Sequence, residues 1–186
     1  MTREQLDHVL RAAGDLTGHK MFVLVGSTAI FAWYEDERVP TNMARSREAD
    51  LFASGVSDEE AERISDLLEN IGQLSEFDDL HGYYIDGVGP RTAVLPVDWK
   101  VRSKLYESRG ANGVVALVPH PEDIALSKLC AGREKDVDWV GAAHSSDLID
   151  LDSLARRVDK LPERTPEERE RVRELIEVAR RRHQEH

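Results

Sequence analysis

Cysteine occurs once in this chain, at Cys130, so no disulfide can close within it, and the thiol fits a reducing compartment as a small apolar side chain. Long apolar runs are also scarce. None of them, Met21 to Val25 included, approaches the ~20 residues that a membrane-spanning helix needs. The N-terminal TREQLDHVLRAAG has amphipathic helical spacing where a signal peptide would have a basic segment followed by an apolar one. No membrane partner and no secretory signal is therefore expected, which points to the cytoplasm. Positive charge is in deficit: a formal net charge of −11 argues against a broad nucleic-acid footprint and suits metal cations better than phosphate backbones. The deficit is uneven, because Arg156 to His186 carries ten Lys and Arg against eight Asp and Glu. None of the seven histidines stands at metal-ligand spacing from another His or a Cys, so zinc is not expected. His183 and His186 read as the end of an Arg-rich helix, where Arg180-Arg181-Arg182 is better explained as a solvated helix end than as an RNA contact. No serine, histidine and aspartate pattern around a sharp elbow suggests a hydrolase, and there is no internal repeat.

What is present suffices for one domain with a helical extension: 186 residues, 40% hydrophobic and 33% charged. Capping-box patterns at Thr2-x-x-Gln5, Ser57-x-x-Glu60 and Thr165-Pro166-x-Glu168 each precede an apolar helical stripe. Leu151, Leu154, Ala155 and Val158 give a further stripe. Strands are predicted at Met21 to Val25, Glu48 to Ala53, His81 to Asp86, Thr92 to Val97 and Gly113 to Val118, with the turn GVGP joining the third and fourth as an antiparallel hairpin. Glu35 to Arg47 and residues 144–147 read as the least ordered segments. This order predicts an α/β (α+β) fold, a small mixed sheet flanked by helices over residues 1–120, followed by a helical C-terminal subdomain over 121–186 packed on that core.

Three constellations carry chemistry. In IALSKLCAGREKD, residues 124 to 136, one cation, Lys128, sits in an otherwise uncharged helical run, and a buried ammonium is costly unless an anion meets it. On a continuous helix Lys128, Gly132, Lys135 and Asp136 share one face, about 12 Å end to end, with Gly132 as a flat spot that a phosphate-bearing ligand can approach. The second is Gly26-Ser27, where a strand runs straight into TAIFAW. Such a junction offers outward N–H groups, a glycine that permits close approach and a serine able to cap or bind phosphate. In the third, Glu48 and Asp50 project from one strand face, roughly 6–7 Å apart, while Ala49 and Leu51 turn to the core. Two carboxylates so placed can share magnesium ions that bind a nucleotide's phosphates.

Together VLVGSTAIFAW, SREADLF and HPEDIALSKLCAGREKD resemble the polymerase-β-type nucleotidyltransferases, in particular the bacterial group that includes the AbiEii-like toxins. The resemblance spans roughly Phe22 to Leu161. It implies that Gly26 and Ser27 hold the phosphates of an NTP and that Glu48 and Asp50 bind Mg2+ or Mn2+. It further implies that Lys128, with Arg133, binds the triphosphate, while Asp136 positions Lys128 or assists the acceptor. Such a fold places a third carboxylate on a neighbouring strand, for which Asp86 and Asp98 are both candidates, Asp86 being preferred. The implied activity is transfer of an NMP to a hydroxyl of tRNA or protein, as the toxin of a toxin–antitoxin or phage-defence system with a cognate antitoxin as partner. The acidic motif departs from the usual Asp-x-Asp in having Glu48 first, which lengthens one metal ligand by a methylene. The alternative is a nucleotidyltransferase fold without turnover, a binding module or antitoxin-like partner.

Overall fold

A computed structural model describes residues 1–162 and 164–182. His183 and His186 lie outside the described residues. Helix α1 (Arg3–Thr17) opens on the reciprocal cap, with the Thr2 hydroxyl accepting from the Gln5 backbone N–H at 3.3 Å and the Gln5 side-chain Oε1 accepting from the Thr2 N–H at 2.9 Å. Strand β1 (Met21–Val25) runs into a 3-10 turn and the short α2 (Ile30–Trp33). There follow β2 (Glu48–Ala53), α3 (Asp58–Leu68), α4 (Glu76–His81), β3 (Tyr84–Gly87), α5 (Trp99–Arg102), β4 (Lys104–Glu107) and β5 (Val115–Val118). Helices α6 (Pro121–Ala131), α7 (Glu134–Ser145), α8 (Leu151–Arg157) and α9 (Pro166–Arg182) complete the described chain.

The strands form a five-stranded mixed sheet of order β3-β2-β1-β5-β4. β1 pairs antiparallel with β2 and parallel with β5, and β3 lies parallel to β2. The central position of β1 explains its unbroken apolar sequence, because both of its faces are buried. Phe22 and Leu24 join the main core with α1 and α3, while Val23 and Val25 meet Phe52, Val88 and Leu95 on the other face. The segment before β2, expected to be loosely ordered, is anchored by buried Val39 and Met43.

Two sequence expectations are corrected. Residues 81–86 and 92–97 do not form a hairpin. β3 instead pairs in parallel with β2, a connection long enough to hold α3 and α4. Residues 92–97 are not a strand: Thr92 closes a turn on the Gly89 carbonyl at 3.0 Å, and the Val97 N–H donates to the Lys160 carbonyl at 2.9 Å. Pro96 has no N–H to give to a sheet, and Leu95 fills the second apolar cluster. The strand that was not foreseen, β4, is an edge strand with a lysine and a glutamate at its ends, the composition that keeps edges from pairing further.

The second correction concerns residues 124 to 136, which are two helices, not one. Gly132 takes φ 65°, closing α6 with a left-handed residue. A Cβ there would lie 3.2 Å from an Arg171 nitrogen, so its flat spot is covered by α9 and is not open to a ligand. α9 starts at the Thr165–Glu168 cap. Arg180 reaches Asp152 at 2.7 Å and Arg182 reaches Asp138 at 2.7 Å, which directs two of the three terminal arginines onto α8 and α7.

Candidate active site

The site begins at the end of β1. Val25 stands opposite Asp50 in the β1–β2 register, and Gly26 then adopts φ 72°, ψ −164°, a conformation essentially reserved for glycine. A Cβ on Gly26 would fall 1.8 Å from Asp50 Oδ2, so the missing side chain is the space that the carboxylate occupies. Alternation along β2 sends Glu48 and Asp50 to one face. The parallel register with β3 sets Tyr84 beside Glu48 and Asp86 beside Asp50, bringing a third acid to the same face.

Asp98 is elsewhere. It precedes α5 and accepts from Arg157 at 2.8 Å, a hydrogen bond that holds its carboxyl below the usual range. Asp98 is thus part of an ionic cluster with Arg157, Asp123 and Arg102 that joins α5 to α6 and α8.

Opposite the acids lies Lys128, only 8% exposed. Its ammonium donates to Ser27 Oγ at 2.8 Å, stands 3.4 Å from Asp136 Oδ1 and lies 5.0 Å from the centre of the Trp139 ring. Burial lowers its pKa, and Asp136 opposes that shift. Continuous helical spacing would leave Lys128 and Asp136 about 12 Å apart; the break at Gly132 brings them into contact. Arg133 closes on the same carboxylate at 2.6 Å from the α7 N-cap position, leaving its guanidinium largely exposed at the mouth.

All of these groups line one cleft of about 670 Å³. Gly26, Ser27, Glu48, Asp50, Asp86, Lys128, Arg133 and Asp136, singled out in the sequence, meet there, and Asp98 does not. Arg45, Arg47, Tyr84 and Trp139 also line it and were not foreseen. The basic run Arg45-x-Arg47 just ahead of the acidic strand was a readable signal. Trp139 gave none, because an aromatic residue on an apolar helix face reads as core. The mouth of this cleft is cationic on a chain that is acidic as a whole.

Electrostatics set the acids in tension. Burial, then the charges of Glu48 and Asp86, push the Asp50 carboxyl up to about 7. Asp86 is raised as well, by burial and by Glu48 and Glu69. Three crowded carboxylates with a single buried ammonium nearby are relieved by a further cation. Their hard oxygen donors suit Mg2+ or Mn2+. Among the described residues no group of three or more His, Cys, Asp or Glu side chains is arranged to hold a metal ion by itself. Magnesium is usually bound by one or two carboxylates together with substrate phosphates, so the donor set fits a metal that arrives with a nucleotide.

No helix among the described residues is long and apolar enough to cross a membrane. No curated protein and no solved structure matches the chain. One family model, however, covers nearly the whole sequence. The chain belongs to the family described as Nucleotidyltransferase of unknown function (DUF6036), whose model matches residues 4–185.

Proposed function

We propose that this protein transfers the nucleoside monophosphate of an NTP to a hydroxyl group, with a divalent cation held by Glu48, Asp50 and Asp86 together with the phosphates of the NTP. The observation that carries this reading is the meeting of those acids with Lys128 around the Gly26–Ser27 turn in one cleft. When bound, Mg2+ would neutralise the triphosphate and polarise the α-phosphate. Gly26 lets the phosphates approach the backbone, and Ser27 offers its hydroxyl to them. Lys128 meets the charge that grows on the departing pyrophosphate, and Asp136 keeps that ammonium charged and aimed despite its burial. The acceptor oxygen bonds to the α-phosphorus as the bond to the β-phosphate bridging oxygen breaks. The hydroxyl proton passes to Asp86, whose carboxyl is still reached by solvent and has its pKa raised by partial burial and by its acidic neighbours. Arg45, Lys135 and Arg133 at the mouth attract the polyphosphate.

In the finer reading, supported by the three sequence motifs, the protein is of the AbiEii-like branch. Its acceptor is tRNA or a protein, and a cognate antitoxin restrains it as a toxin. Residues 121–186 act as a helical subdomain that brings Lys128 and Asp136 to a catalytic core of residues 1–120.

The test incubates the protein with Mg2+, each of the four α-labelled NTPs, and RNA or protein acceptors. Label is expected on one acceptor class with wild type and not with Asp50→Asn. Equal labelling by the variant would contradict the reading, and no labelling by wild type would leave only a binding module. The same assay separates the two aspartates: Asp86→Asn is expected to lose most of the transfer, whereas Asp98→Asn retains it. Replacing Lys128 with Met, which keeps the volume and removes the charge, is expected to lower transfer roughly 10²-fold, in the range seen when one electrostatic stabiliser is removed.

A further inference from the structure

We propose that Tyr84 is a positioning residue that fixes the carboxylate of Glu48 for metal binding, compensating for the extra methylene of the glutamate. This inference rests on the reading above and assigns a residue that the acidic motif does not contain. Tyr84 is the register partner of Glu48 across the β2–β3 ladder, and its hydroxyl donates to Glu48 Oε2 at 3.2 Å. A glutamate has one more rotatable bond than an aspartate, so without a partner its carboxylate would sample several rotamers at the cleft mouth. With Oε2 held by the phenol, Oε1 is left to face a cation. Asp50 needs no such partner, because the space at Gly26 confines it.

The phenol is itself held. The Tyr84 N–H donates to the Arg47 carbonyl at 2.9 Å, and the Arg47 guanidinium lies 6.0 Å from the centre of the Tyr84 ring. Arg47 is in turn fixed by its ion pair with buried Asp78 and by donating to the Gly82 carbonyl at 2.6 Å. The chain Asp78–Arg47–Tyr84–Glu48 is therefore a continuous outer support for one metal ligand, a kind of support whose loss weakens metal binding at other sites by roughly 10–100-fold.

The experiment measures Mn2+ binding by electron paramagnetic resonance, in the presence of a saturating non-hydrolysable NTP analogue, in wild type, Tyr84→Phe, Glu48→Asp, the double variant Glu48→Asp with Tyr84→Phe, and Asp50→Asn. Circular dichroism melting confirms that each is folded. Tyr84→Phe is expected to weaken Mn2+ binding roughly tenfold. In the Glu48→Asp background the same change is expected to have no further effect, because the shorter side chain is beyond the reach of the phenol. Wild-type affinity in Tyr84→Phe, alongside lost binding in Asp50→Asn, would overturn the positioning role and leave the metal site standing. An equal loss from Tyr84→Phe in both backgrounds would overturn it too, as a general structural effect. Wild-type Mn2+ binding in Asp50→Asn would contradict the metal reading itself, and the role of Tyr84 with it.

Discussion

Asp50→Asn is expected to melt at a higher temperature than wild type at pH 8 in the presence of a chelator, while losing nucleotidyl transfer. The folded protein raises the Asp50 carboxyl from 3.8 to about 7, first by burial and then by the charges of Glu48 and Asp86. Between those two values the folded protein keeps a proton that the unfolded chain has released. Stability from this group therefore falls as pH rises from about 4 to about 7, and the full penalty stands above that. A shift of about three units corresponds to about 4 kcal/mol at most. Relaxation of the site reduces this, so a gain of about 2 kcal/mol is expected for the neutral amide, several degrees in melting temperature for a chain of this size. The advantage should shrink toward zero near pH 4. Mg2+ with NTP should raise the wild-type melting temperature and leave the variant unmoved, with about 2.7 kcal/mol expected at 100 times the dissociation constant. A variant that melts below wild type at every pH would show that the three acids are not in conflict.

Gly26→Ala is expected to abolish transfer as completely, but with the opposite effect on stability. A non-glycine residue at φ 72°, ψ −164° is strained by about 1–3 kcal/mol. The new methyl would also overlap the Asp50 carboxylate, 1.8 Å away, so either that acid turns out of the cleft or the β1–β2 pairing shifts. A loss of about 2–4 kcal/mol is expected in total. Melting curves at pH 8 and the labelling assay check both halves. Two substitutions that equally silence the site but move the melting temperature in opposite directions would distinguish electrostatic conflict from steric contact. Wild-type melting and transfer in Gly26→Ala would contradict the close approach of Gly26 to Asp50.

Much of this site was legible because its signals are local. MFVLV reads as a strand from its own apolar run, and the alternation of Glu48, Ala49, Asp50 and Leu51 fixed which residues leave the core. The caps at Thr2, Ser57 and Thr165 are side-chain hydrogen bonds written three residues apart. What local sequence does not carry is the choice of partner strand. Alternation assigns Asp86 a face but not a neighbour, and only the parallel β2–β3 register sets it beside Asp50 while Asp98 is taken by Arg157. Periodicity put Lys128 and Asp136 on one helix face but about 12 Å apart, so their contact was not legible from spacing. Helical arithmetic treated Gly132 as a spacer, whereas its left-handed backbone ends α6 and turns α7 back toward the lysine. Tyr84 was visible only as a strand residue, because its role depends on a side chain across the sheet.

Calorimetric titration of NTP into wild type, Asp50→Asn and Lys128→Met, with and without Mg2+, addresses the central claim that strand acids and a buried lysine grip one metal-loaded triphosphate. Saturable heat at a single site is expected for wild type only when Mg2+ is present, with none for Asp50→Asn and a much weaker response for Lys128→Met. Equal NTP affinity in all three proteins, or wild-type binding that is indifferent to Mg2+, would contradict it.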